Sequence, residues 1–137
     1  MLYDDQNIFA RIIRNELPAI KVYEDEQVLA FMDIMPQAEG HTLVVPKTPA
    51  ITLLDLPPDA AAYTIQIVQK IAQAMKVALD VQGIVLMQLS GASAGQTVPH
   101  VHFHLIPSSV HELGKHALSM GDQEKIKVLA EKIKAEL

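Results

Sequence analysis

The segment that most constrains this chain is His100-Val101-His102-Phe103-His104-Leu105. Imidazoles alternate with apolar side chains at a period of two, the pattern of a β-strand with one face on a core. The expected strand, His100 to Ile106, turns Val101, Phe103 and Leu105 inward and sets His100, His102 and His104 together on the other face. Three imidazoles in register are costly as packing material and poor as solvated decoration. The remaining histidines, His41, His111 and His116, stand singly and read as satisfied core or surface residues.

The rest of the chain reads as short strands and helices. Asn7 is a candidate cap for a helix reaching Leu17, which Pro18 ends. Three strands follow at Ile20 to Tyr23, Val28 to Ile34 and His41 to Pro46, separated by polar turns, which suggests an antiparallel meander. Pro58 suits the first turn of a long helix to Leu79, where Ile67, Ile71 and Met75 repeat at the spacing of one buried face. Ile84 to Leu89 is continuously apolar and is expected to be a strand covered on both faces. Asp122 to Leu137 is an amphipathic helix with Ile126, Leu129 or Ala130, and Ile133 inward. These elements predict an α+β fold, a five-stranded sheet with helices packed on it, in one domain over 1–137. Its core spans about 7–107, and a helical extension covers about 121–137.

Composition narrows the function. Half of the 137 residues are apolar, and 16 acids against 11 bases leave a formal charge of −5. A nucleic-acid partner would need a concentrated cationic face, so none is expected. A single small anion remains compatible, because a local site can be positive on an acidic protein. With no cysteine, disulfides and thiolate zinc sites are excluded. The opening MLYDDQN carries acids where a signal peptide carries bases, and no apolar run reaches the roughly 20 residues of a membrane span. The expected location is cytoplasmic, with no membrane partner.

Beyond plain packing, the three alternating histidines admit two chemistries. Neutral imidazoles bind zinc, but strand residues two apart are separated by roughly 6.5–7 Å, so all three reach one ion only if the strand bends sharply. No carboxylate stands close by in sequence, and no metal is expected. Phosphate chemistry is favoured by the preceding small-residue loop, Ser90 to Gln96, followed by Thr97. Gly91 and Gly95 allow positive φ, and successive N–H groups there would form an anion nest, with Gln96 and Thr97 as side-chain donors. The loop is not a P-loop, since no Lys-Ser or Lys-Thr follows the glycines. A neutral imidazole can attack phosphorus directly, and the central His102 has partners on either side to set its tautomer and protonate a leaving group.

GQTVPHVHFHLIP resembles the signature of the histidine-triad (HIT) family, and the stretch from Asn7 through HTLVVPK looks like that family's amino-terminal half. The resemblance covers about Asn7 to Pro107 and is closest to the nucleoside phosphoramidase (Hint-like) branch. It implies an antiparallel sheet extended across a homodimer, and hydrolysis or transfer at the α-phosphorus of a nucleotide through a covalent nucleotidyl-histidine. His102 would be the nucleophile, assisted by His104 and His100. Gln96 and Thr97 would lie near the phosphate, with Gly95 and Val98 beside them among the nucleotide-binding residues. Ile8, Phe9, Phe31 and Ile34 would line the base pocket, and Asp33 would hold the ribose hydroxyls. The implied substrate is a purine nucleotide conjugate, a phosphoramidate of AMP or GMP, without a cofactor. The alternatives are a dinucleoside polyphosphate hydrolase, a nucleotide-binding interaction module with weak or no turnover, and a metal-dependent hydrolase.

Three departures from the family pattern bear on this. Leu89 stands where many relatives carry an asparagine, and leucine cannot donate a hydrogen bond. Ser108 replaces an arginine found in many bacterial members. Asn7 and Ala10 occupy the places of paired zinc-binding cysteines.

Overall fold

The computed structural model describes residues 2–113 and 120–137. Helix α1 (Ile8–Ile13) leads into strands β1 (Lys21–Glu24), β2 (Val28–Met32) and β3 (Thr42–Pro46). Helix α2 (Pro58–Leu79) then connects to β4 (Val85–Met87) and β5 (Phe103–Ile106), and α3 (Gln123–Ala135) follows. The strands form one sheet in the order β1-β2-β3-β5-β4, every pair antiparallel. The expected five-stranded α+β architecture is present, with the meander in its first three strands.

Strand alternation divides the molecule into two layers around this sheet. Val28, Ala30, Met32, Val44, Phe103 and Leu105 pack with Ile67, Ile71 and Met75 of α2 and with Ile126, Ala130 and Ile133 of α3. The odd-numbered neighbours Leu29, Phe31, Leu43 and Val45 face the other way, against Phe9 and Ile12 of α1. β2 and β3 are therefore buried on both faces, between the α2–α3 layer and α1. On the thinner side α1 covers only part of the sheet, and a cavity opens beside it.

Several boundaries differ from the sequence expectation. Asn7 caps α1 through a 2.9 Å bond from the Ala10 amide, but the helix ends at Ile13, and Asn15 takes φ +62. Pro18 is thus preceded by a turn rather than by helix, which suits the restricted conformation of residues ahead of proline. β4 is three residues long, not six, and lies at the sheet edge. Its central Leu86 is 48 % exposed, so the expectation of cover on both faces is corrected. Continuous apolarity was a poor guide because an edge strand meets a neighbour on one side only. β5 begins at Phe103 rather than His100, since Val101 bonds Ala50 and leaves the ladder.

α3 fits its expected pattern: Asp122 caps it, and Ile126, Ala130 and Ile133 are buried. It also braces the connection between β2 and β3. The Gly121 amide donates to the Ile34 carbonyl at 2.9 Å, and Lys125 pairs with Glu39 at 2.5 Å. On the same side, the hydroxyls of Tyr23 and Tyr63 both donate to Asp25 Oδ2, at 2.6 and 2.5 Å, fastening α2 to the β1–β2 turn. None of the described helices is long and apolar enough to cross a membrane.

Candidate active site

A cavity of about 450 Å³ opens between α1, the start of the β2–β3 connection and the loop ahead of β5. Ile8, Phe9, Phe31, Asp33, Ile34, Gly95, Thr97, Val98, His102 and His104 all line it, with Leu43 and Leu89. Residues spread over nearly a hundred positions thus meet in one mostly apolar pocket with a few convergent polar groups, the usual make-up of a small-molecule site. Phe9 stacks edge-on against Phe31 at 5.4 Å and against His102 at 4.8 Å, so one ring from α1 supports both the apolar wall and the imidazole.

The three histidines occupy different stations. His102 is 5 % exposed, and its ring lies 4.9 Å from that of His104. Its Nδ1 lies 2.6 Å from the main-chain carbonyl of His100. A carbonyl only accepts, so Nδ1 carries the proton and Nε2 carries the lone pair of the neutral ring. His100 is not brought to the cavity: its Nε2 donates to the Pro46 carbonyl at 2.7 Å and its Nδ1 meets the Tyr3 hydroxyl at 2.6 Å. The alternation of the strand does not carry back to His100, because the Val101 amide donates to the Ala50 carbonyl and takes the chain out of the ladder.

His41, read from the sequence as a satisfied single residue, is buried and satisfied, but its partners belong to the site. Its Nε2 lies 2.9 Å from His104 Nδ1 and 3.5 Å from Asp33 Oδ2, while its Nδ1 accepts the Gln37 amide at 3.1 Å. An amide N–H only donates, so the proton of neutral His41 sits on Nε2, which donates to His104 Nδ1. His104 is thereby set with its own proton on Nε2. Sequence reasoning missed His41, although the pairing of Leu43 with His104 puts His41, two residues earlier on β3's face, on the same side of the sheet. His111 is exposed, and His116 lies outside the described residues.

Burial depresses the basicity of this group. His41 falls to about 4, through desolvation and then the nearby His102. His102 is lowered by desolvation, partly offset by the His100 carbonyl. His100 is lowered by desolvation, opposed by the Pro46 carbonyl and reinforced by His102. All three rings are neutral at pH 7. Asp33 is raised, by burial first, against the Met35 amide that its Oδ1 accepts at 2.8 Å.

Asp33, His41 and His104 also present ligand atoms within 4.8 Å of one another, close enough to suggest a cation. The tautomer of His41 speaks against it. A metal-bound histidine ordinarily donates its second ring nitrogen to an acceptor. Here that second nitrogen faces the Gln37 N–H, and Nε2, the atom a metal would need, holds the proton.

The glycine loop differs from an open nest. Gly91 and Gly95 take φ +97 and +107, the left-handed region that favours glycine, and flank a single 3₁₀ turn at Ala92–Ala94. The amides of Gly91, Ala94, Gly95 and Gln96 are bonded within the loop. The Gln96 side chain is a brace, donating to the carbonyls of Ile51 and Val98 and accepting the Gly91 amide. It is not among the residues lining the cavity.

The HIT domain model matches residues 14–111. The chain belongs to the HIT family. An uncharacterized HIT-like protein of Methanocaldococcus jannaschii is 47 % identical over 100 residues, covering 73 % of this chain and 77 % of that protein. The adenosine 5'-monophosphoramidase of Schizosaccharomyces pombe is 34 % identical over 136 residues, covering 95 % and 97 %. A Hit-like protein of Bartonella henselae, crystallised with an unknown ligand, superposes with a TM-score of 0.92 at 47 % identity and full coverage of both chains.

Proposed function

We propose that this HIT protein hydrolyses purine nucleoside phosphoramidates, or closely related nucleotidyl conjugates, at the α-phosphorus. The observation that carries the reading is His102: neutral, its Nδ1–H bonded to its own chain, its ring at the cavity, and Nε2 left as the nucleophile. Yeast relatives named adenosine 5'-monophosphoramidase favour this chemistry over the other branches.

In the first step His102 Nε2 bonds to phosphorus, the bond from phosphorus to the amine leaving group breaks, and His104 Nε2–H passes its proton to that amine. In the second step water attacks the nucleotidyl-histidine and yields its proton to His104, and the phosphorus–histidine bond breaks to release the nucleotide. Phe31, Ile34, Ile8 and Phe9 would enclose the base, and the carboxylate of Asp33 would accept the ribose hydroxyls. Gly95, Thr97 and Val98 would flank the phosphate. His100 assists through its carbonyl, and Gln96 through the loop it braces. No step calls for a metal or cofactor, and the expected location is the cytoplasm.

We further place a second copy of the chain along β4. Its outer edge pairs with no strand among the described residues, and unpaired, partly apolar edges invite a partner strand. Sedimentation of the purified chain should give a dimer, and a monomer at micromolar concentration would remove this part of the reading.

The function is tested by turnover of adenosine phosphoramidate in excess chelator. Wild-type turnover lost in His102→Ala, with an adenylyl adduct trapped on wild type by an alkaline denaturing quench, is the expected result. Tight AMP binding by a folded wild type without turnover would favour the interaction-module reading, for which Leu89 on the cavity wall is the specific ground.

A further inference from the structure

We infer that Tyr3 is a positioning residue for the His102 ring, acting through His100; the inference rests on His102 being the reacting residue. Tyr3 lies ahead of α1, 97 positions from His100, yet its hydroxyl is 2.6 Å from His100 Nδ1 and the two rings meet edge-on at 5.6 Å. The roles in this bond are determined. His100 Nε2 must donate to the Pro46 carbonyl, so Nδ1 is the acceptor and the Tyr3 hydroxyl is the donor. Burial raises the phenol above its ordinary range, which keeps it a donor throughout neutral and mildly alkaline conditions.

The consequence runs through the backbone. His100 is 1 % exposed and pinned at both ring nitrogens, while its amide donates to Val98 O at 2.9 Å. The same residue's carbonyl holds His102 Nδ1–H at 2.6 Å. That single acceptor selects the tautomer that leaves Nε2 free and fixes the rotation of the His102 ring. Removing the Tyr3 hydroxyl strands a buried lone pair, which the His100 ring can relieve only by tilting or changing tautomer. Either motion shifts the carbonyl that aligns His102. The segment carrying Tyr3 is itself held, by Asn7 Nδ2 on the Asp4 carbonyl and by Arg14 on the Asp5 carbonyl, both at 2.7 Å. Tyr3 does not line the cavity, so it reaches the substrate by no shorter route.

The test is Tyr3→Phe, which keeps the ring and removes the hydroxyl. Imidazole ¹⁵N NMR reports the tautomers of His100 and His102 directly, and turnover of adenosine phosphoramidate reports alignment. The expected result is a His102 signal moving from one Nδ1–H tautomer to a mixture, with kcat lowered on the order of tenfold and KM within about twofold. His102 tautomers identical to wild type overturn the inference, as does an altered His102 signal with unchanged kcat. A wild type without any turnover counts against the phosphoramidase reading alone, and the NMR comparison then decides the role of Tyr3.

Discussion

His41 Nε2 stands 2.9 Å from His104 Nδ1, and the Gln37 amide on the far side of the His41 ring makes that contact one-directional. A backbone N–H in the β2–β3 connection therefore dictates where the proton sits on a histidine in β5. A wrong tautomer on a group that must donate a proton removes general acid catalysis, worth about 10²–10⁴-fold. His41→Phe should lower kcat by about 100-fold while the protein still binds AMP. His41→Gln, which can offer an amide donor near the Nε2 position, should recover part of the loss. Equal activity in the two variants would remove His41 from the pathway.

The pH dependence follows from the direction of the histidine shifts. His102, lowered by burial, titrates below the ordinary imidazole value, so the acid limb of kcat/KM should be centred below pH 6.5. The same burial affects folding. Imidazoles with depressed folded values bind fewer protons than in the unfolded chain, so their contribution is intact above 6.5 and is lost as pH falls from 6.5 towards about 4, the value for His41. Urea melts across that window should show declining stability. An acid limb of kcat/KM centred above 6.5 would contradict a buried neutral His102.

Leu89 offers the cavity an apolar surface where a hydrogen bond could otherwise form. A donor next to a charged phosphate is worth about 1.5–3 kcal/mol. Leu89→Asn is expected to raise kcat/KM for adenosine phosphoramidate about tenfold. No change would mean that position 89 lies beyond reach of the phosphate and its leaving group.

Asp25 is a separate test of stability. Desolvation opposes its charge, yet the two tyrosine hydroxyls and the amides of Gln27 and Val28 outweigh it and bring the carboxyl down to about 2. Being partly exposed, it should contribute about 1–2 kcal/mol. The stability difference between wild type and Asp25→Asn should be constant above pH 5 and shrink as pH falls through the ordinary aspartate range towards about 2. A difference that persists at pH 2 would assign the effect to packing instead.

The sheet and the buried helix faces were legible because they rest on periodicity, whereas Ile8, Phe9, Phe31, Asp33 and Ile34 were expected at a pocket only from the family resemblance. Val101, Phe103 and Leu105 enter one core and His102 and His104 face the other way, as alternation requires, and Ile67, Ile71 and Met75 form the buried stripe of α2. What escaped was set by contacts between distant segments. His41 joins the site through strand pairing, Tyr3 through a bond across 97 positions, and His100 leaves the cavity because a main-chain bond from Val101 to Ala50 breaks the ladder. None of these leaves a local pattern. β4 failed for a different reason, since an apolar run says nothing about its place in the sheet order.

β5 carries Phe103 and Leu105 in one layer and His104 in the other, on a backbone only four residues long. Interior volume and chemical alignment are thus two readings of a single strand. A substitution under α2 that overfills the space around Phe103 would displace imidazoles it never touches. Variants selected only for thermal stability in that layer should therefore scatter widely in rate, and those selected for rate should conserve its volume.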